Sequence, residues 1–181
     1  MEGILRIVRQ SEVDPRLDQE IKRGYCICYE KDLAFFSQTR SWHGSWPAWL
    51  VVIEKGREVI AHTGIVDRTI SIGGRDVRIA GIQGVYVLPD HRGKGLADQV
   101  LNAAMREAER LEFDFGLLFC IPEIEKVYSR CGWQKLEGRR ITRIDKDGSE
   151  VPIPGYNIVM YYPLGRRELL AGNINLKGND W

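Results

Sequence analysis

The chain has 181 residues, 44% of them apolar and 28% charged, with 26 lysines and arginines against 25 aspartates and glutamates for a formal net charge of +1. That is enough chain for one domain, 1–181, with a substantial core; the composition carries no mark of disorder, and the charge balance excludes the basic excess of a nucleic-acid binder. No apolar run is long enough to span a bilayer, and Met1 to Arg6 lacks the basic and apolar regions of a signal peptide, so a cytoplasmic protein is expected.

Ile4 to Val8 reads as a first strand. A helix is predicted from Asp14 to Tyr29, with Asp14 as cap and Pro15 in the first turn, and Leu33 to Ser37 adds a turn or two. The tryptophan-rich Ser41-Trp42-His43-Gly44-Ser45-Trp46-Pro47 leads into a strand from Trp49 to Glu54. A turn at Glu54 to Glu58 starts a second strand, Val59 to Ile65 and on towards Ile72, and Gly73-Gly74 returns the chain as Val77 to Leu88.

That strand empties through Pro89-Asp90 and Arg92-Gly93-Lys94-Gly95-Leu96-Ala97 into a helix with Val100, Leu101, Ala104, Ala108 and Leu111 at helical spacing. Glycines let the backbone approach a ligand closely, a helix start offers unpaired N–H groups, and Arg92 and Lys94 add charge, which together suit a phosphate. The spacings of a Walker loop and of a Rossmann fingerprint are absent. Phe115 to Cys120 follows as a buried strand, then a helix from Pro122, a short strand from Trp133 to Leu136, a turn at Asp145-Lys146-Asp147-Gly148 and a final strand around Ile158 to Tyr162.

Cys26, Cys28, Cys120 and Cys131 lack zinc spacing and read as reduced and mostly buried, with Cys120 the one near the proposed site; no metal is expected. Arg139-Arg140 with Arg143, and Arg166-Arg167, read as solvated surface.

The block from Arg92 to Ala97 resembles motif A of the GCN5-related N-acetyltransferases, a Gln/Arg-x-x-Gly-x-Gly/Ala pattern, and Pro122 to Trp133 resembles their later helix, which carries a tyrosine and ends at Gly-aromatic. The resemblance implies an α/β (α+β) fold: a mixed, mostly antiparallel sheet of six to seven strands, about four helices, and a splay between the two central strands. It implies acetyl-CoA as cosubstrate, held by Val85, Val87, Arg92, Gly93, Lys94, Gly95, Leu96 and Ala97, and direct attack of a small-molecule primary amine on the thioester in a ternary complex. Tyr128 matches the general acid, and the Val85 N–H would polarise the carbonyl. Gln83 stands where many relatives carry a glutamate base; an amide accepts no proton at useful pH, leaving a held water, or His62 or His43 by residue type.

The strand Gly81 to Val85, the Tyr128 to Trp133 block and the ending Gly178-Asn179-Asp180-Trp181 further resemble aminoglycoside 2′-N-acetyltransferases, whose terminal carboxylate serves the substrate site. On that resemblance Glu30, Asp32, Asp180 and Trp181 supply carboxylates, Gln83 faces the acceptor, and Trp42 and Trp46 wall its cleft; Trp49 belongs to the core. Two other readings stand beside it: a non-catalytic acyl-CoA sensor, suited to Gln83, and an acyltransferase with longer acyl donors related to the nodulation N-acyltransferases. Partners in nucleic acid or membrane are not expected, and a homodimer stays open.

Overall fold

The apolar runs flanking Gly73-Gly74 build the middle of the sheet. In the computed structural model, which describes residues 3–165 and 168–181 and so leaves Arg166-Arg167 outside the described residues, β3 (Glu58–Ile72) and β4 (Arg75–Val87) form one long antiparallel hairpin. Both turn glycines have positive φ, 56° and 81°, as a tight hairpin requires. β2 (Trp49–Lys55) pairs with the first half of β3, and β1 (Ile4–Arg9) pairs with β2.

α1 (Pro15–Cys28) starts where the sequence places it, because the Asp14 carboxylate accepts the Leu17 N–H at 2.7 Å and Pro15 needs no donor there. It buries Leu17, Ile21 and Tyr25, and the Tyr25 ring stacks on Phe36 of the short α2 (Leu33–Phe36) at 4.5 Å. α3 (Leu96–Arg110) joins the same core through Val100, Leu101, Ala104 and Ala108.

β5 (Phe115–Cys120) is apolar on both faces, as a central strand must be, and runs parallel to β4. A single 3-10 turn, Pro122–Ile124, precedes α4 (Glu125–Ser129), so the helix expected from Pro122 is shorter than its apolar pattern suggests. Then come β6 (Gln134–Lys135), β7 (Ile141–Ile144), β8 (Glu150–Pro152), β9 (Ile158–Pro163) and β10 (Ile174–Asn175). The strand order is β6-β9-β5-β4-β3-β10-β7-β8, with β2 and β1 branching from β3.

The sheet is mixed and mostly antiparallel, as expected, but has ten strands among the described residues rather than six or seven. The additional ones, β7, β8 and β10, are two to four residues long, too short to show a hydrophobic period, and exist only because the folded chain pairs them. They extend the sheet beyond β3, and Ile141 and Ile174 on them join Ile70, Ile79, Phe115, Leu117, Leu176 and Trp181 in a separate core. Among the described residues no helix is long and apolar enough to cross a membrane.

Two irregularities fall at the same place. The β4–β5 ladder runs from Ile79↔Phe115 to Ile82↔Leu118 and stops, although both strands continue. On the other side of β4, the β3–β4 register slips between His62 and Gly64, opposite Gly84, whose φ is 60°. An alanine Cβ at Gly84 would lie 1.7 Å from the Tyr25 Oη, so this bulge admits glycine alone.

Candidate active site

β4 leaves the sheet through a 3-10 turn at Pro89–His91 and re-enters order at α3, whose N-cap is Gly95. Gly93 and Gly95 adopt φ of 74° and 71°, and a Cβ on either would meet no atom within 4 Å. Their role is therefore backbone shape and an open face, which leaves the first amides of α3 free for an anion. Arg92 folds back so that Nε donates to the Val87 carbonyl at 3.1 Å and Nη2 approaches the Cys28 sulfur at 3.9 Å, while Lys94 Nζ donates to the Asp90 carbonyl at 3.0 Å.

These elements bound a cleft of about 790 Å³ that runs from the loop to Tyr128. Of the predicted cosubstrate residues, Val85, Val87, Arg92, Gly93, Gly95, Leu96 and Ala97 line it and Lys94 does not. Cys28 lines it too, so the expectation that Cys120 is the one thiol near the site is corrected: Cys120 neighbours Tyr128, and Cys28 joins it from the end of α1, which leans on β4. Cys26, Cys28 and Cys131 are half-buried and Cys120 is buried.

Where the ladders fail, side chains take over. Thr63 Oγ1 donates to the Gln83 carbonyl at 3.2 Å, His62 Nδ1 to the Gly84 carbonyl at 2.8 Å, and Tyr29 Oη to the Val85 carbonyl at 2.8 Å. Tyr128 sits 7% exposed at the cleft wall with its ring edge-on to Trp133. Burial, and then the neighbouring Cys120, pushes its phenol well above the ordinary value, so it carries its proton at neutral pH.

Beyond the splay, Gln83 is buried and both ends of its amide are engaged: Oε1 accepts the Trp42 N–H at 2.9 Å, and Nε2 donates to the Ser45 carbonyl. It clamps the loop that carries His43, a residue held at φ 46°. His43 Nδ1 lies 2.7 Å from Asp180 Oδ1, which Arg143 Nη1 also approaches at 3.1 Å. Burial raises the Asp180 pKa, but the His43 hydrogen bond and the Arg143 charge outweigh it and leave the carboxyl below its ordinary range. Arg68 ties the loop to the chain end through Ser45 Oγ, at 2.9 Å, and the Asn179 carbonyl.

The structure thus brings Gln83, Trp42, Asp180 and Trp181 together. The Trp181 ring is buried against Gly81, lies 5.2 Å from Phe119 and has the Arg68 guanidinium over it. Trp42 packs on Phe36 at 4.6 Å and on Tyr29 at 5.9 Å. Trp46 is half exposed beneath Arg40, and Glu30 and Asp32 occupy a 3-10 turn, Glu30–Asp32, between α1 and α2. Sequence reasoning missed Tyr29, Thr63 and Arg68 and read Arg143 as solvated surface, whereas Arg143 is largely withdrawn from solvent onto Asp180; only distance from the bulge or from Asp180 marks these residues.

A bulged β4, parted from β5 above a glycine loop and helix start, defines the fold of the GCN5-related N-acetyltransferases. It is shared with the GNAT-family N-acetyltransferase YhbS of Escherichia coli in complex with CoA (TM-score 0.68, 14% identity, 98% of this chain and 91% of that one). It is shared also with a GNAT-family acetyltransferase of Brucella melitensis in complex with acetyl-CoA (TM-score 0.61, 15% identity, 94% of each chain). Within that fold, the family model for nodulation protein A matches residues 5–167, and the chain belongs to that family. A nodulation protein A of Bradyrhizobium elkanii is 35% identical over 107 residues, 58% of this chain and 47% of that protein, so the chain spans about half the length of the curated relative it matches.

Proposed function

We propose that this protein is an acyl-CoA-dependent N-acyltransferase acting on a primary amine of a small molecule. The observation that carries the reading is the parting of β4 and β5 between Tyr128 and the loop from Arg92 to Ala97, a gap that fits an extended thioester with its phosphates on the α3 amides. The bound acyl-CoA supplies an activated acyl group. The Val85 N–H donates to the thioester oxygen, and Tyr128 hands its proton to the departing thiolate. An alkyl amine with pKa near 10 must lose a proton before it attacks. Gln83 is spent on the loop, so the acceptor of that proton is His43, held through Nδ1 by Asp180 with its other ring nitrogen left for the substrate or a water.

Acetyl is the simplest acyl group for this gap. A longer chain is the second reading, favoured by the match to nodulation protein A and by the apolar wall of Ile121, Ile124 and Val127, the first two exposed by 46% and 39%. For the acceptor, the sequence points to an aminoglycoside-like amine. Arg68 and Arg143 beside Asp180 favour instead an amine on a molecule with few other positive charges.

The test is release of CoA thiol from acetyl-CoA and from a long-chain acyl-CoA, with a panel of aminoglycosides, amino sugars and simple amines. Turnover is expected, with Tyr128→Phe lowering kcat about 100-fold and leaving acetyl-CoA affinity within about threefold. Tight CoA binding without turnover of any amine would establish a sensor instead.

A further inference from the structure

The Gly84–Val85 peptide has lost its ladder partners on both sides. The β4–β5 pairing stops at Ile82, and the β3–β4 pairing slips past it. A peptide in that position has nothing in the backbone to fix its rotation. What fixes it is His62: the Gly84 carbonyl has only lone pairs to offer, so the 2.8 Å contact makes Nδ1 the protonated nitrogen and the carbonyl the acceptor. In a trans peptide the C=O and N–H point in opposite directions. β4 lies between β3 and β5, so a carbonyl drawn towards β3 sends the Val85 N–H towards β5, into the gap where the ladder has ended.

We propose that His62 is a positioning residue for acyl transfer: its Nδ1–H holds the Gly84 carbonyl and thereby aims the Val85 N–H at the thioester oxygen. The inference rests on the acyl-transfer reading above. His62 is wholly buried, between Tyr25 at 5.4 Å and Tyr86 at 5.3 Å, and its Nε2 has no hydrogen-bond partner among the described residues. An imidazole chosen only to fill space would leave no polar nitrogen orphaned in a core where leucine packs at no such cost. Burial also lowers its pKa to about 4, which keeps the single-donor tautomer across neutral pH.

Two variants separate positioning from packing. His62→Asn retains a side-chain N–H near the Nδ1 position but leaves a void. His62→Leu fills the space and has no donor. The readouts are the carbonyl resonance of acetyl-CoA labelled with carbon-13 at the acyl carbon, the dissociation constant, and kcat with the best amine of the panel. We expect a downfield shift on binding to the native protein and to His62→Asn. In His62→Leu we expect no shift, a dissociation constant within about threefold of native, and kcat about 10- to 100-fold lower, less than the roughly 100- to 1000-fold of a deleted oxyanion donor because the N–H remains and only its aim is lost. Asparagine is then the less stable variant and the more active one. A leucine variant with native shift and native kcat overturns the proposal, as does an asparagine variant impaired as much as leucine. If leucine prevents folding, the native protein still decides, since tight binding with no downfield shift shows that no donor reaches the oxygen. Failure of the native protein to bind either acetyl-CoA or a long-chain acyl-CoA overturns the acyl-transfer reading itself, and this inference with it.

Discussion

His62 illustrates how much a single side chain can set at this site. Its ordinary pKa of 6.5 falls to about 4 in the folded protein, so between those values the unfolded chain binds a proton that the folded one refuses. The neutral ring therefore supports folding fully above pH 6.5, and that support fades as pH falls towards 4, a loss on the order of 3 kcal/mol. The groups facing it are the neutral phenols of Tyr25 and Tyr86 and the distant cation Arg40, which acts in the same direction as burial. Urea unfolding across that range is expected to show the native midpoint falling faster than that of His62→Leu; equal slopes would show that His62 does not carry the dependence. Tyr128 and the loop from Arg92 to Ala97 were legible in the sequence because their spacing is local. The roles of His62, Thr63 and Tyr29 were not, since what gives each its role is a carbonyl 20 or more positions away, at a bulge that no periodicity announces.

At the scale of elements, β4 does three jobs along one strand: it pairs normally up to Ile82, bulges at Gly84, and feeds the glycine loop beyond Val87. The glycines of the last two regions are constrained differently, and the contrast is measurable. Gly84→Ala meets both a left-handed φ and the Tyr25 hydroxyl, so a loss of at least about 3 kcal/mol is expected by chemical denaturation. Gly93→Ala meets only the φ cost, about 1 kcal/mol, and its methyl group would stand in open space above the loop, so its main effect should be weaker CoA binding by calorimetry. Comparable stability losses in the two variants would refute this division. The long elements could be read in advance because α1 has its cap and β2 to β5 their apolar runs. The short β10 owes its existence to partners far along the chain, Ile72 and Ile141, while β7 and β8 pair with each other across a turn in stretches too short to show a period.

The whole molecule is one sheet with a core on each face, and the seam between β4 and β5 is stitched over only part of its length. Below Ile82 the two halves are stitched by backbone; above it, from Gln83 to Val87, they are not. On the proposed function, an acyl-CoA lying in that opening would substitute for the absent ladder and act as a removable rivet between the halves. At a concentration about 100 times its dissociation constant, it adds about 2.7 kcal/mol to the stability of the folded state. That gain need not be spread evenly. Amide hydrogen exchange should slow most at Gln83 to Val87 and at Phe119 and Cys120, and least in β7 and β8 at the far end of the sheet. Uniform protection would place the ligand elsewhere. The missing hydrogen bonds would then couple substrate occupancy to the mechanical continuity of the fold, making the empty protein the more pliable of its two states.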